Sequence, residues 1–149
     1  MQSQHILPPR YLFVAIVLML ALHWIVPIEI WIAWPYTLLG IIPLGLGSWL
    51  NLAADSALKQ NHTTVKPFEA STALVTTGVY RLSRHPMYLG MVLILLGLAI
   101  LLGSLVSLPI VIVFAVLLDW VFIRSEEAML RDGFGEAWRD YSGQVRRWI

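Results

Sequence analysis

Four apolar runs, each close to the length needed to cross a lipid bilayer, decide most of what this chain can fold into. They lie at about Tyr11–Ile28, Trp34–Ala54, Pro86–Gly103 and Ser107–Ile123. A hydrocarbon core roughly 30 Å thick asks for about 20 such residues in a helix, because no water is present there to satisfy an open backbone. Hydrophobic residues make up 58% of the 149 and charged residues only 13%. Soluble chains stand nearer about a half and about a quarter. The expected fold is therefore all-α, a polytopic membrane bundle of about four transmembrane helices. The connections at 27–31 and 103–107 are short, so the segments pair into two hairpins. The expected organisation is a single domain: a first hairpin at 1–58, a loop at 59–85, a second hairpin at 86–123 and a helical extension or tail at 124–149. The first segment is long and lacks a small-x-small cleavage site after it, which reads as a retained anchor and not as a signal peptide.

Charge sets the expected orientation. All ten Lys and Arg residues fall on one side of these segments: Arg10, Lys59, Lys66, Arg81, Arg84, Arg124, Arg131, Arg139, Arg146 and Arg147. The positive-inside rule then places both termini and the middle loop in the cytoplasm, as in a multi-pass protein of the cell membrane. Trp24, Trp31, Trp34 and Tyr36 would mark the outer boundary, and Tyr11, Trp49 and Trp120 the inner one. A net charge of +1 projects no field that would draw nucleic acid. With no cysteine, disulfides, thiolate metal sites and a Cys nucleophile are excluded.

Within the segments, Pro35 and Pro109 fit helix starts, whereas Pro43 falls inside the second helix and is expected to kink it. Gly40, Gly45 and Gly47 suggest close helix packing. Gly90 and Gly97 share one face of the third helix as a seam, within one chain or between two.

The chemistry is unevenly distributed. The outer half offers His23, which reads as a packed or interfacial histidine, and Glu29, which reads as a solvated loop residue. Asn51 and Asp55 stand one turn apart at the inner end of the second helix. Asp119 interrupts an apolar run, which is costly unless the acid is paired or faces a wet cavity. It is either a functional acid or a structural partner of Arg84, Arg124 or His85. A 3.6-residue period puts Asp119, Ile123, Glu126 and Leu130 on one face, with Glu127 beside them.

The stretch GVYRLSRHPMYLG, residues 78–90, sets Pro86 in the first turn of the third helix with His85 near its cap. The free N–H groups of Met87, Tyr88 and Leu89, together with Arg84 and His85, would form an anion site. The simpler reading makes Arg81 and Arg84 a positive anchor and Tyr80 and Tyr88 interface aromatics. That reading leaves unexplained why Glu126 and Glu127 gather at the same end. Anion-binding and cation-binding groups in one place suit a zwitterionic, amino-acid-like ligand.

GVYRLSRHPMYLG, then the Glu126–Glu127 pair, then the FGxxWxxYxxxVxR pattern from Phe134, resemble the isoprenylcysteine carboxyl methyltransferase and phospholipid methyltransferase superfamily. Arg84, His85, Pro86, Tyr88 and Gly90 match the R-H-P-x-Y-x-G core, and HTTVKP at 62–67 resembles the loop that often precedes it. The resemblance covers about residues 61–149. It implies a membrane enzyme that takes a methyl group from S-adenosylmethionine and gives it to a lipophilic acceptor at the cytoplasmic boundary, with the bilayer as its other partner and neither a Rossmann domain nor a metal. It also implies cofactor contacts at His85, Tyr88, Gly90, Glu126, Glu127 and Tyr141, with Phe134, Trp138 and Tyr141 forming a lid. The residues expected to act on the chemistry are Arg84, Asp119 and Glu127. Trp138 stands where the family commonly has Tyr, and Gln144 where prenylcysteine enzymes often have a basic residue, so the acceptor stays open; the oligomeric state is open because the glycine seam serves either within one chain or between two. Two other readings remain at this point: a nicotinamide-dependent lipid reductase of related architecture, and a non-catalytic membrane subunit.

Overall fold

The computed structural model describes residues 7–26, 31–63 and 71–149. Helix α1 spans Pro8–Ile25, α2 Ile41–Gln60, α3 Pro86–Leu102, α4 Ser107–Leu118 and α5 Arg124–Gln144. No strand occurs among the described residues. The Thr64–Pro67 part of the HTTVKP loop, Lys66 and Glu29 lie outside the described residues.

The sequence places Pro43 in a helix interior, but α2 begins only at Ile41, after a 3-10 turn at Tyr36–Gly40. Pro43 therefore sits in the first turn of α2, where its missing N–H has no carbonyl to bond within the helix.

Helices α2 and α3 pack antiparallel along a glycine seam. A Cβ on Gly97 would run into the backbone of Gly40 and Leu44, and one on Gly90 into Gly47 and Asn51. The seam is used within the chain, where lipid supplies no hydrophobic drive and close backbone approach must hold helices together. Gly45 faces open space and takes no part. Helix α1 packs on α4 and α3. Their shared core includes Met19, Leu95, Phe114, Leu118, Phe122 and Ile123. The outward faces of α1 and α4, among them Phe13, Val14, Ile112 and Val113, are exposed apolar surface suited to lipid.

At the end of α3 opposite its charged start, Gly103 adopts φ 61°, the left-handed conformation that a helix-ending glycine supplies without a Cβ clash. Its carbonyl accepts N–H bonds from Trp31 at 2.8 Å and Ile32 at 3.4 Å, which ties the two short connections together.

Helix α4 runs into α5 through a π turn at Asp119–Ile123. From Ser107 to Phe134, ahead of the bend at Gly135, 28 residues at 1.5 Å each reach about 42 Å, more than a bilayer core, so α5 extends beyond it. Inside α5, Gly135 has φ 51° and ψ −117° and bends the helix back on itself. Only glycine adopts that combination readily.

Candidate active site

Two local features bring distant groups together at the charged end of the bundle. Pro86 is the first residue of α3, with its fixed φ and absent N–H suited to that place, and His85 is the cap. Leu89 N–H is not free, because it donates to the His85 carbonyl at 3.0 Å. This corrects the expected trio of open N–H groups. The second feature is the π turn. A π turn inserts one residue into the α register, so the 3.6-residue spacing that pairs Asp119 with Glu126 fails across it. Glu127, not Glu126, joins Asp119, and the two share Arg147.

Around Glu127 lies a buried charge cluster. Arg147 donates from Nε to Oε1 at 3.1 Å and from Nη2 to Oε2 at 2.6 Å. Arg84 Nη1 is 3.3 Å from Oε1, and His85 Nε2 is 3.4 Å from the same oxygen. Burial pushes the Glu127 carboxyl up, but the hydrogen bonds from His85 and Arg147 and the charge of Arg84 outweigh it and hold the group at about 2. Asp119 is paired with Arg147 at 3.2 Å and Arg124 at 3.0 Å. Of the two readings of that residue, its surroundings are those of the structural pair, with Arg147 as the partner that spacing did not indicate.

Beside this cluster is a cavity of about 470 Å³. Arg84, His85, Tyr88, Glu126 and Tyr141 line it, whereas Glu127, Asp119 and Gly90 do not. Gly90 instead lies against Asn51 and Gly47 of α2, because its bare face is what lets the two helices approach. Two polar atoms of the lining residues are buried without a hydrogen bond among the described residues: Arg84 Nε and Glu126 Oε2. The His85 ring nitrogen Nδ1 is 3.8 Å from the latter.

The bend at Gly135 returns the rest of α5 over the cavity. Trp138 is buried, with the Arg84 guanidinium 5.6 Å from its ring centre. Tyr141 donates its hydroxyl to the Tyr80 carbonyl at 2.7 Å. Burial pushes the Tyr141 phenol up to about 12, against a smaller opposing pull from Arg84. Burial, and then the Glu126 charge, push Tyr80 well above the ordinary phenol range. Both therefore stay protonated near neutrality. The opposite wall is apolar, formed by Leu7 and Pro8 at the start of α1, Leu58 at the end of α2, and Met87 and Met91 of α3.

Tyr80 and Met91 do not enter as site residues in the sequence, Met87 enters only through its backbone N–H, and Arg147 only as one of the ten basic residues. Their types carry no signal, since Met in an apolar helix and Arg near a membrane are both ordinary. His23 stands edge-on to Trp24 at 6.2 Å, far from this cluster in the fold. No group of three or more metal-ligating side chains occurs among the described residues.

The profile of the phospholipid methyltransferase family matches residues 35–137. The chain belongs to that family. The match takes in the glycine seam, the start of α3 and the Glu126–Glu127 pair, and stops just short of Trp138, Tyr141 and Arg147. A protein-S-isoprenylcysteine O-methyltransferase from Schizosaccharomyces pombe is 34% identical over 108 residues, which is 68% of this chain and 44% of that relative. An uncharacterised protein from Haemophilus influenzae is 38% identical over 63 residues, which is 42% of this chain and 100% of that protein. The chain thus spans under half the length of the methyltransferase it matches. Membership supports a membrane methyltransferase and lends nothing to the reductase or to the non-catalytic subunit.

Proposed function

We propose that the chain transfers a methyl group from S-adenosylmethionine to a lipophilic acceptor at the cytoplasmic face of a membrane. The observation that carries this reading is the pair of buried unsatisfied atoms, Arg84 Nε and Glu126 Oε2, on residues of one cavity wall. Leaving such groups unpaired is costly, and a ligand with both a carboxylate and an ammonium relieves both once the Arg84 and Glu126 side chains turn into the cavity. The cavity volume is that of an ordinary small-molecule site.

On this reading Glu126 receives the ammonium and Arg84 the carboxylate. His85 and Tyr88 border the same end, while Phe134, Trp138 and Tyr141 close over the remainder. The donor supplies an electrophilic methyl on a sulfonium, which leaves as a neutral thioether when the acceptor's electron pair takes the methyl. What the protein must add is alignment, exclusion of water by the bent α5, and aromatic faces beside the cation. A protic acceptor also needs a base for its proton. Glu127, held near 2 by its cations, is a weak one. Glu126 is the carboxylate of the pair with an open oxygen, and it takes that role if the acceptor is an amine.

The acceptor's route is the apolar wall. Helices α1 and α2 both rest on α3, and the cavity reaches Leu7 and Pro8 on one side and Leu58 on the other. A lipid chain entering from that side would lie against Leu7, Pro8, Leu58, Met87 and Met91 before it reached Tyr88.

Calorimetry on detergent-purified protein tests the reading. Saturable binding of S-adenosylmethionine or S-adenosylhomocysteine is expected. Binding of a reduced nicotinamide cofactor instead would replace it with a reductase, and binding of neither would remove the enzyme. Transfer of labelled methyl to lipid extracts then identifies the acceptor class.

A further inference from the structure

After α5, Val145 turns extended and the chain crosses to the start of α3. The Arg146 carbonyl accepts Arg84 N–H at 3.0 Å. The Arg147 carbonyl accepts the Ser83 hydroxyl at 3.0 Å, and Ser83 Oγ in turn accepts His85 N–H at 3.1 Å. Trp148 packs on the core. The backbone of this strap therefore already secures the Ser83–His85 turn. The Arg147 side chain does something separate, reaching Glu127 with Nε and Nη2 and Asp119 with Nη1.

We propose that Arg147, which does not line the cavity, is a positioning residue for the cofactor: it commits the Glu127 carboxylate to holding Arg84 and His85 at the cavity wall and leaves Glu126 as the carboxylate that meets the ligand. This rests on the S-adenosylmethionine reading above.

Ionisable side chains from three elements surround Glu127. Arg84 and His85 face it from the start of α3, Arg147 from the strap, and Glu126 adjoins it on α5. Asp119 of the π turn reaches it through Arg147 and keeps Arg124 as a second partner. Loss of the Arg147 side chain thus leaves the π turn with an ion pair but strips Glu127 of two hydrogen bonds. Burial then favours the neutral acid with less to oppose it. A protonated Glu127 no longer attracts Arg84 and His85 as an ion, and both are freed to pair with Glu126, the group the ligand needs. A lysine restores one charge but not the planar fork that spans two carboxylates.

The sign follows from which form works. Ionised Glu127 is the competent form, and in the wild type it persists down to about pH 2, so this group adds no pH dependence to binding between about pH 5 and about pH 7.5. In Arg147→Met its carboxyl titrates higher, and binding falls as pH drops across that window.

The test is calorimetric titration of the full chain with S-adenosylhomocysteine at both pH values, alongside thermal melts. Arg147→Met is expected to bind about ten-fold more weakly near neutrality and weaker again at the lower pH, whereas Arg147→Lys shows a smaller loss of the same sign. The double variant Glu127→Gln with Arg147→Met should lose the added pH dependence, because the titrating group is gone. If the wild type does not bind S-adenosylhomocysteine, the functional reading fails and the proposal with it. If the wild type binds but Arg147→Met matches it at both pH values, the positioning role alone fails. A lowered melting temperature with unchanged affinity and pH profile also overturns it, by making Arg147 purely structural. Should Arg147→Met not fold, wild-type affinity in Arg147→Lys has the same force.

Discussion

Helix α3 meets its neighbours in two opposite ways. At Gly90 and Gly97 it comes close enough to α2 for a Cβ to strike the Gly47 and Gly40 carbonyls. At its start, Arg84 and His85 meet α5 and the C-terminal strap through charged groups that stand apart and reach across. The first contact tolerates no added atom, and the second tolerates no missing partner. A rigid seam beside a reconfigurable charge cluster suits a site in which one wall stays fixed while the other takes up a ligand.

The comparison breaks most severely at the seam. Gly97→Leu should cost about 3 kcal/mol or more, read as loss of monodisperse protein in detergent, because the obstructing atoms are backbone and cannot move aside. Gly45→Ala, facing open space, should melt like the wild type. If both glycines tolerate substitution equally, α2 and α3 do not meet as described.

Next comes the charge cluster. Glu127→Gln leaves two arginines short of a partner and should lower stability by about 3 kcal/mol as well as weaken cofactor binding. Its neighbour separates the two effects: Glu126→Gln should leave the melting temperature nearly unchanged and weaken S-adenosylhomocysteine binding by about ten-fold. Equal behaviour of the two variants in both assays would undo the division of labour between them.

Acid sharpens the same contrast. The Glu127 carboxyl moves from 4.5 to about 2 on folding. A lowered carboxyl stabilises the fold at pH above its unfolded value, and that stabilisation is lost as pH falls from about 5 towards 2. The wild type should therefore lose melting temperature over that range faster than Glu127→Gln does. Parallel acid profiles would count against the ion cluster.

A smaller effect belongs to the lid. Tyr141→Phe removes the hydrogen bond to the Tyr80 carbonyl and should cost about 1 kcal/mol, with cofactor dissociation accelerated in stopped-flow measurements. Smallest of all is Asp55→Asn, which breaks the exposed Lys59 pair at 2.6 Å. Exposed pairs of this kind contribute a few tenths of a kcal/mol, so its melt should be almost superimposable on the wild type.

Much of this organisation is legible in the residue string because it arises from local rules. Apolar runs long enough to span a bilayer must be helices. Pro86 after His85 marks a helix start, and the glycines at 90 and 97 mark a close approach. The R-H-P-x-Y-x-G residues carry the family. Arg84, His85, Tyr88, Glu126 and Tyr141, all read from the sequence as site residues, line one cavity. Where the reading departs from the fold, register is the reason. A period of 3.6 residues predicts that Asp119 aligns with Glu126, and nothing in DWVFIRSEE announces the π turn that replaces this pairing. Pro43 was misplaced for a similar reason, since a helix can begin after a 3-10 turn that an apolar run conceals.

The sequence by itself determined the number and approximate bounds of the spanning helices and the end of the bundle that bears charge, because hydrophobicity and helix-start chemistry act over a few residues. Only the tertiary structure decided which glutamate is enclosed by cations and which stays open, and that Arg147 is the residue that separates them. Those outcomes depend on one inserted residue in a turn and on a strap that closes from the far end of the chain. Both are matters of where side chains arrive in space, and residue types do not encode that one at a time.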